Sequence, residues 1–145
     1  MGALGDVFEN DLAKLIFQAV AIANLADNAA SAPLTNLYVG LHTASPGEAG
    51  TQLTNEATYG AYARVAVARS AAGWTVTAEV ITNAGAVAFP TSTGTTNTVT
   101  HFSVGTAASG AGKVLFYGAL DLSRVIVSGD TPRFAAGELE KAFDN

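Results

Sequence analysis

Residues 42–48, with the sequence HTASPGE, contain three side-chain types that acid/base and nucleophilic catalysis often use. His42 ends an apolar run, Ser45 follows three residues later, and Glu48 comes after a Pro-Gly turn. An acid/base pair needs a substrate within hydrogen-bond reach, and a serine nucleophile of the elbow type needs the pattern GxSxG, which the sequence lacks. We therefore expect the loop after His42 to be a rim connection of a structural β-domain, with Glu48 solvated or in contact with a neighbour, and we predict no catalytic residue.

Metal binding is not predicted either. His42 and His101 are the two histidines, the chain has no cysteine, and the spacings HxH, HxxxH and HExxH do not occur. A tetrahedral zinc site would need carboxylates such as Glu48, Glu56 or Asp121 to complete its ligands. We expect each histidine to lie on a strand and to bond to a backbone group or water. We predict no metal and no cofactor.

The glycine-containing segment GTAASGAG (residues 105–112) is a candidate phosphate-binding loop. A phosphate cradle needs a helix N-terminus behind it, often with a Lys-Ser/Thr pair, and here another apolar strand follows. The segment instead predicts a hairpin connection in which Gly110 and Gly112 adopt positive φ.

Composition narrows the classes of partner. The 145 residues carry a net charge of −5, only 13% are charged, and the seven basic residues are scattered. A nucleic-acid face requires clustered Lys and Arg, so we expect no direct contact with nucleic acid. The apolar stretch 12–25 is interrupted by polar residues and is shorter than a membrane span, so no membrane segment is expected. The low charge suggests that part of the surface is covered in the working state.

The N-terminal segment 6–24 is predicted to form the one helix, or an arm. Apolar residues recur there at steps of three and four. Core packing is the default interpretation of this stripe, and the alternative is contact with another subunit. The candidate intersubunit contacts are Phe8, Leu12, Leu15 and Ile16.

From Leu37 onward the apolar period changes to two, which is typical of strands. The segment WTVTAEVI (74–81) is predicted as one strand, and KVLFYGAL (113–120) and SRVIVS (123–128) as two. Short strands separated by Gly- and Thr-rich turns, without helices between them, favour antiparallel pairing. We predict a mainly β, antiparallel β-sandwich, jelly-roll-like, over residues 36–143, in a single domain of residues 1–145 with the N-terminal helix.

The predicted core follows from the inward positions of these strands. Its members are Leu37, Val39, Leu41, Val65, Val67, Trp74, Val76, Phe89, Phe102, Val104, Val114, Phe116 and Leu120. Packing is also the favoured role of Trp74, because large aromatic residues dominate core energetics. The alternative is that Tyr59, Tyr62 and Trp74 stack on a host glycan.

Three blocks of the sequence resemble a known family. They are LYVGLHTASPGEAGTQLTNEATYGAYARVAVARS with GWTV, NAGAVAFP with TVTHFSVGTAASGAGKVLFYGAL, and TPRFAAGELE, and the likeness spans residues 10–140. They are similar to small structural proteins of tailed bacteriophages, often labelled tail fibre proteins. The resemblance implies a virion structural protein without catalytic residues.

The position in the particle has two candidate answers. Long fibres rely on coiled-coil heptads or shaft repeats, and the sequence shows neither. A compact β-domain with a helical arm favours a capsid cement or decoration protein that bridges neighbouring subunits. Its expected partners are the major capsid protein and copies of itself, with other virion proteins as further candidates. The alternative is a tail fibre, tail or baseplate component, with outer loops that bind a host glycan.

Overall fold

The computed structural model describes residues 6–22, 25 and 33–143. Four strand pairs have a described register and all four are antiparallel, so a mainly β chain with antiparallel sheets and an N-terminal helix is confirmed. No helix within these ranges is long and apolar enough to cross a membrane. The elements are α1 (Asp6–Gln18), β1 (Asn36–His42), β2 (Val65–Ala68), β3 (Trp74–Thr77), β4 (Val80–Asn83), β5 (Val87–Ala88), β6 (Asn97–Gly105), β7 (Val114–Ile126), β8 (Arg133–Phe134) and β9 (Glu140–Ala142).

Internal packing divides the chain into two compact units that alternate along the sequence. In this division α1 shares its unit with β3, β4 and β9. The predicted single domain of residues 1–145, with a helix or arm at 6–24 and a sandwich at 36–143, stays a prediction. The first unit comprises residues Met1–Asn36, Val67–Ala86 and Phe134–Asn145, and the second comprises Leu37–Ala66 and Val87–Arg133.

The first unit packs α1 beside the sheet β3-β4-β9. Phe17 meets Trp74 edge to face, with ring centroids 5.1 Å apart. The side-chain Nε2 of Gln18 donates a hydrogen bond of 3.1 Å to the carbonyl oxygen of Trp74. Ala13, Phe17, Trp74 and Ile81 are all buried, so this aromatic contact forms the centre of a small core.

The helix ends earlier than predicted. Its last residue is Gln18, and Ala19 has a φ of 58°, in the left-handed region that often ends helices. The backbone N–H of Val20 donates to the carbonyl of Lys14 at 3.2 Å. Alanine is the best helix former, so the segment AVAIA (19–23) gave no sign of this stop. Residues 23 and 24 of the predicted helix lie outside the described residues.

The prediction of one strand over 74–81 is wrong. Thr77 pairs with Val80, so β3 and β4 form a hairpin across Ala78 and Glu79. Ala78 has a φ of 52°. Tight hairpins that need positive φ usually carry Gly or Asn at the turn, and neither residue type occurs here. The alternating pattern therefore continued through the turn without a visible break.

The second unit is built on β1, β6 and β7. These strands belong to a sheet of order β2-β1-β6-β7, and residues 65–66 of β2 also lie in this unit. Val39 of β1 pairs with Val104 of β6, and Phe102 lies opposite Gly118 of β7. A Cβ on Gly118 would approach the Phe102 ring to 2.8 Å, so glycine leaves the space that this ring occupies. The sequence predicted two strands over 113–128, whereas β7 is a single strand with a register shift.

The core prediction holds for eight of its thirteen residues. Those eight are buried, namely Leu37, Val39, Leu41, Trp74, Phe89, Phe102, Val104 and Phe116. The other five are only half-buried, namely Val65, Val67, Val76, Val114 and Leu120. All five lie on β2, β3 or β7, which are the end strands of their sheets. An end strand has a neighbour on one side only, so its side chains are covered less completely than the apolar pattern suggests.

Candidate functional site

His42 lies at the centre of a buried polar cluster in the second unit. Its Nδ1 is 2.9 Å from the carbonyl oxygen of Thr54, and its Nε2 is 2.7 Å from the hydroxyl oxygen of Ser103. A carbonyl oxygen only accepts, so Nδ1 carries the proton, and Nε2 of the neutral ring accepts from Ser103. The expectation that His42 bonds to the backbone is confirmed. The other histidine, His101, instead pairs its Nδ1 with the hydroxyl of Thr100 at 2.8 Å.

The serine–histidine contact has the geometry of a nucleophile beside its base, but both residues are fully buried. In addition, a main-chain carbonyl occupies the position that a carboxylate holds in a catalytic triad. The predicted partners Ser45 and Glu48 are exposed, and neither forms one of the hydrogen bonds of His42. In this conformation the contact links β1, β6 and the turn at Thr54. No group of three His, Asp or Glu residues within the described ranges could hold a metal ion.

A second part of the cluster is the ion pair between Glu56 and Arg64. Arg64 donates from Nε to Oε1 at 2.6 Å and from one terminal nitrogen to Oε2 at 2.8 Å. The hydroxyl of Tyr62 donates to Glu56 at 3.0 Å and accepts from the backbone N–H of Leu41 at 3.0 Å. The Arg64 side chain is 1% exposed and that of Glu56 is 12% exposed. The pair is therefore largely desolvated, and its bidentate geometry compensates both charges.

The remaining donors of the cluster hold the loop between β6 and β7. Arg64 donates to the carbonyl oxygens of Ala107 at 2.8 Å and Gly110 at 2.7 Å. Gln52 accepts from the backbone N–H of Ala107 at 3.0 Å and donates to the carbonyl of Tyr38 at 3.0 Å. Two internal side chains thus fix the main chain of an exposed loop, and sequence reasoning missed both.

The glycines of this loop have different roles. Gly110 has a φ of 73°, which confirms the predicted positive φ. Gly112 has no positive φ, but a Cβ there would collide with the side-chain oxygen of Gln52. Gly105 is constrained in the same way, because a Cβ there would meet the Gln52 amide. These two glycines leave the room that the buried Gln52 amide needs to hold the loop.

Burial sets the protonation state of the cluster. Desolvation is the largest cause that lowers the pKa of His42, and the nearby Arg64 and His101 act in the same direction. The hydrogen bond to Thr54 and the negative charge of Glu56 oppose it without overcoming it. Desolvation also raises the pKa of Tyr59 to about 12 and raises the pKa of Tyr62. The histidine and both tyrosines are therefore neutral near pH 7.

The lowered pKa of His42 predicts a loss of stability in acid. The unfolded chain binds a proton at this histidine at a higher pH than the folded chain does. The free energy of unfolding should therefore fall as the pH drops below about 6.5, by at most about 1.4 kcal/mol per pH unit for one proton. Urea unfolding of the wild type and of His42→Gln between pH 8 and pH 5 measures this. The wild type should lose more stability than the variant, and equal losses would contradict the assignment.

The three aromatic residues considered for glycan stacking are packed against other parts of the fold to different degrees. Tyr59 is 2% exposed and Trp74 is fully buried. The half-buried Tyr62 ring meets the Tyr59 ring edge to face, with centroids 5.3 Å apart and an interplanar angle of 74°. It stacks on the Phe89 ring, with centroids 6.3 Å apart and an interplanar angle of 11°. In this conformation the rings of Tyr59 and Trp74 pack inside the fold, and glycan stacking by Tyr59, Tyr62 and Trp74 stays a prediction.

The helix buries a face that is offset by one residue from the predicted stripe. Glu9, Ala13 and Phe17 are the buried positions of α1, spaced four residues apart. Phe8 is 39% exposed, and the rest of the stripe is half-buried. The stripe flanks the buried face, and its role in intersubunit contacts stays a prediction. It comprises Phe8, Leu12, Leu15 and Ile16.

Several large apolar side chains face solvent. In the first unit Val7 is 77% exposed and Leu25 is 75% exposed. In the second unit Leu122 is 84% exposed and Val125 is 55% exposed, both on β7. Sequence reasoning missed the β7 residues because alternation in a strand predicts one buried face.

The fold and the polar cluster together define a small, mainly β protein in which the buried His42, Gln52 and Arg64 bond to its own strands and loops. A family model described as Podophage GP4 fiber I protein gp80 matches residues 5–141, and the chain belongs to this family. No curated protein matches the chain. The chain is therefore a tailed-phage virion structural protein of a fibre family, as the three sequence blocks predicted.

Proposed function

We propose that the protein acts by attachment and catalyses no reaction. In this proposal it lies on the capsid surface as a cement or decoration protein, where it binds the major capsid protein and copies of itself. The observation that carries the proposal is the contrast between its polar and apolar side chains. The buried cluster of His42, Ser103, Glu56 and Arg64 is bonded internally, whereas Leu122 and Val7 are exposed.

Two physical effects support attachment through these surfaces. Each square ångström of apolar surface removed from water contributes about 25 cal/mol, so exposed Leu and Val residues favour contact with a neighbour. Arg64 and Gln52 hold the loop between β6 and β7 in one conformation. A preordered loop loses little entropy on binding. Modest contacts that the symmetry of a particle repeats then give strong overall binding.

A second candidate is a fibre or another component of the tail or baseplate. The description of the matched family, a podophage fibre protein, favours this candidate. It needs the same exposed apolar contacts but a different neighbour, and far fewer copies in each particle.

The number of copies in each purified virion separates the two candidates. Quantitative gel electrophoresis against the major capsid protein measures it. Capsid decoration predicts copies on the order of hundreds, because the icosahedral lattice repeats the site many times. A few to a few dozen copies would place the protein in the tail, and its absence from purified particles would contradict both candidates.

A further inference from the structure

The main chain of β3 directs alternate residues away from β4. The N–H of Ala84 donates to the carbonyl of Gly73 at 2.9 Å, so Gly73 belongs to a pair that bonds across the hairpin. Hydrogen-bonded and non-hydrogen-bonded pairs alternate along an antiparallel ladder. The N–H and C=O groups of Trp74 and Val76 therefore point away from β4, towards the outer edge of β3. In the described part of the chain no strand lies beyond this edge, because β3 is an end strand of the sheet β3-β4-β9.

Two side chains of α1 cap carbonyl groups along this edge. Gln18 donates from Nε2 to the carbonyl of Trp74 at 3.1 Å. In the amide orientation that bonds both of its side-chain atoms, Asn10 donates to the carbonyl of Ala78 at 2.6 Å and accepts from Lys14 Nζ at 3.1 Å. Eight helical residues rise about 12 Å, and four residues of strand span about 13 Å. The helix therefore runs along β3 in the opposite direction, with one cap near each end of the strand.

The strand that α1 covers carries none of the sequence features that usually prevent strand pairing. Edge strands of natural proteins avoid pairing through lysine, proline or bulges, or because a helix or loop covers them. β3 has the sequence Trp-Thr-Val-Thr, without a charge, a proline or a glycine. Its residues are aromatic or β-branched, the types that are enriched in strands. Protection of this edge therefore depends on α1.

We propose that α1 is a removable cover of the β3 edge, and that the uncovered edge pairs antiparallel with β3 of a second copy of this chain. Uncovered strand edges are templates for another strand, and main-chain hydrogen bonds then supply the contact. Two identical chains can present the same edge to each other about a two-fold axis, so no further component is needed. This proposal rests on the proposed attachment function, because it identifies how two copies meet.

A pair centred on Val76 satisfies both the hydrogen bonds and the faces of the sheet. The N–H of Val76 in each copy donates to the Val76 carbonyl of the other copy, and these are groups that point away from β4. Thr75 of one copy then lies opposite Thr77 of the other. Both threonines are exposed, on the same face of β3, so the pairing keeps every side chain on its own face. Opposed threonines form favourable cross-strand pairs, and no like charges are brought together.

The cover makes the free protein a weakly associating one. Displacement of α1 breaks both caps and the contact between Phe17 and Trp74, so the covered state is favoured in the free chain. The pairing segment is also short, and short interfaces are typical of transient contacts. On a particle, neighbouring copies are held at a high effective concentration, which favours the paired state.

Removal of the two caps tests the cover. The double variant Asn10→Ala/Gln18→Ala deletes both hydrogen bonds to β3 and leaves the helix favoured, because alanine is the best helix former. Sedimentation equilibrium of the full chain at up to about 1 mM protein measures association. The double variant should associate at least about tenfold more tightly than the wild type, because two hydrogen bonds no longer hold the cover. A double variant that is monomeric at about 1 mM, or that associates no more tightly than the wild type, would overturn the proposal.

A third substitution in the double variant tests the edge itself. Val76→Pro removes an N–H that points away from β4, so it should keep the β3–β4 ladder and return association to the wild-type level. Val76→Ala is the matched control, since it shortens the same side chain but keeps the N–H, and it should leave association unchanged.

Three results of this third substitution would contradict the pairing. They are association that Val76→Pro leaves unchanged, equal suppression by Val76→Ala, and loss of the β-sheet signal in circular dichroism of Val76→Pro, because the N–H would then be needed within the sheet. The copy number in virions tests the proposed function separately, since a protein that stays monomeric in solution can still bind the capsid.

Discussion

Replacement of Arg64 with alanine should lower the free energy of unfolding by about 3–5 kcal/mol, because it removes one member of a buried ion pair. Glu56 would lose its partner in a site that is 12% exposed, and two loop carbonyls would lose their donors. Urea unfolding at pH 7, with the linear extrapolation to water, measures the loss. The substitution should also release the loop between β6 and β7, which amide hydrogen exchange at residues 107–112 would show.

Two control variants distinguish the loss of the Glu56–Arg64 ion pair from the general effect of removing a positive charge. Arg64→Lys keeps the positive charge but cannot form the bidentate contact with Glu56, so it should also destabilise, though less than alanine. Arg133→Ala removes an exposed arginine and should change stability by no more than about 0.5 kcal/mol. If Arg64→Ala and Arg133→Ala have the same small effect, the cluster does not hold the second unit together.

Replacement of Trp74 with alanine should cost about 3–5 kcal/mol, the usual range for truncation of a large buried aromatic residue. Trp74 is fully buried and forms the edge-to-face contact with Phe17 that joins β3 to α1. Its loss should therefore release the helix from the sheet of the first unit. Urea unfolding followed by far-ultraviolet circular dichroism would report both the loss of stability and the loss of helix.

Trp74→Phe is the matched control for this prediction. Phenylalanine keeps an aromatic ring beside Phe17. Among the described residues the indole Nε1 of Trp74 has no hydrogen-bond partner, so the substitution breaks no hydrogen bond there. Its cost should be less than about half that of alanine. Equal costs for the two variants would contradict a role based on aromatic packing.

The sequence predicted the structure best where its hydrophobic pattern agrees with the local backbone conformation. Val39 and Leu41 of β1 and Phe102 and Val104 of β6 are buried at steps of two, as the period predicts, although the residues between them are buried as well. The errors occurred where residues with ordinary propensities adopt positive φ. Ala19 ends the helix and Ala78 turns the β3–β4 hairpin, and neither alanine signals such a conformation.

The polar cluster could not be predicted because its contacts are distant along the chain. Ser103 lies 61 positions from His42, and Gly110 lies 46 positions from Arg64. The sequence supplied His42 as a candidate but paired it with the nearby Glu48, whereas strand pairing brings β6 beside it. In the β1–β6 register His42 lies opposite His101, and Ser103 lies two residues further along β6, opposite Gly40. Because residues two apart on a strand share a face, this register would have placed Ser103 on the same face as His42.

A density map of the intact virion tests the central claim most directly, namely that this protein works by attachment to other virion proteins. The account predicts density for the chain on the capsid surface, with exposed apolar residues such as Leu122 or Val7 covered by the major capsid protein or by another copy. Contacts to tail proteins alone would preserve attachment but contradict the capsid position. Absence of the chain from the assembled particle would contradict the claim itself.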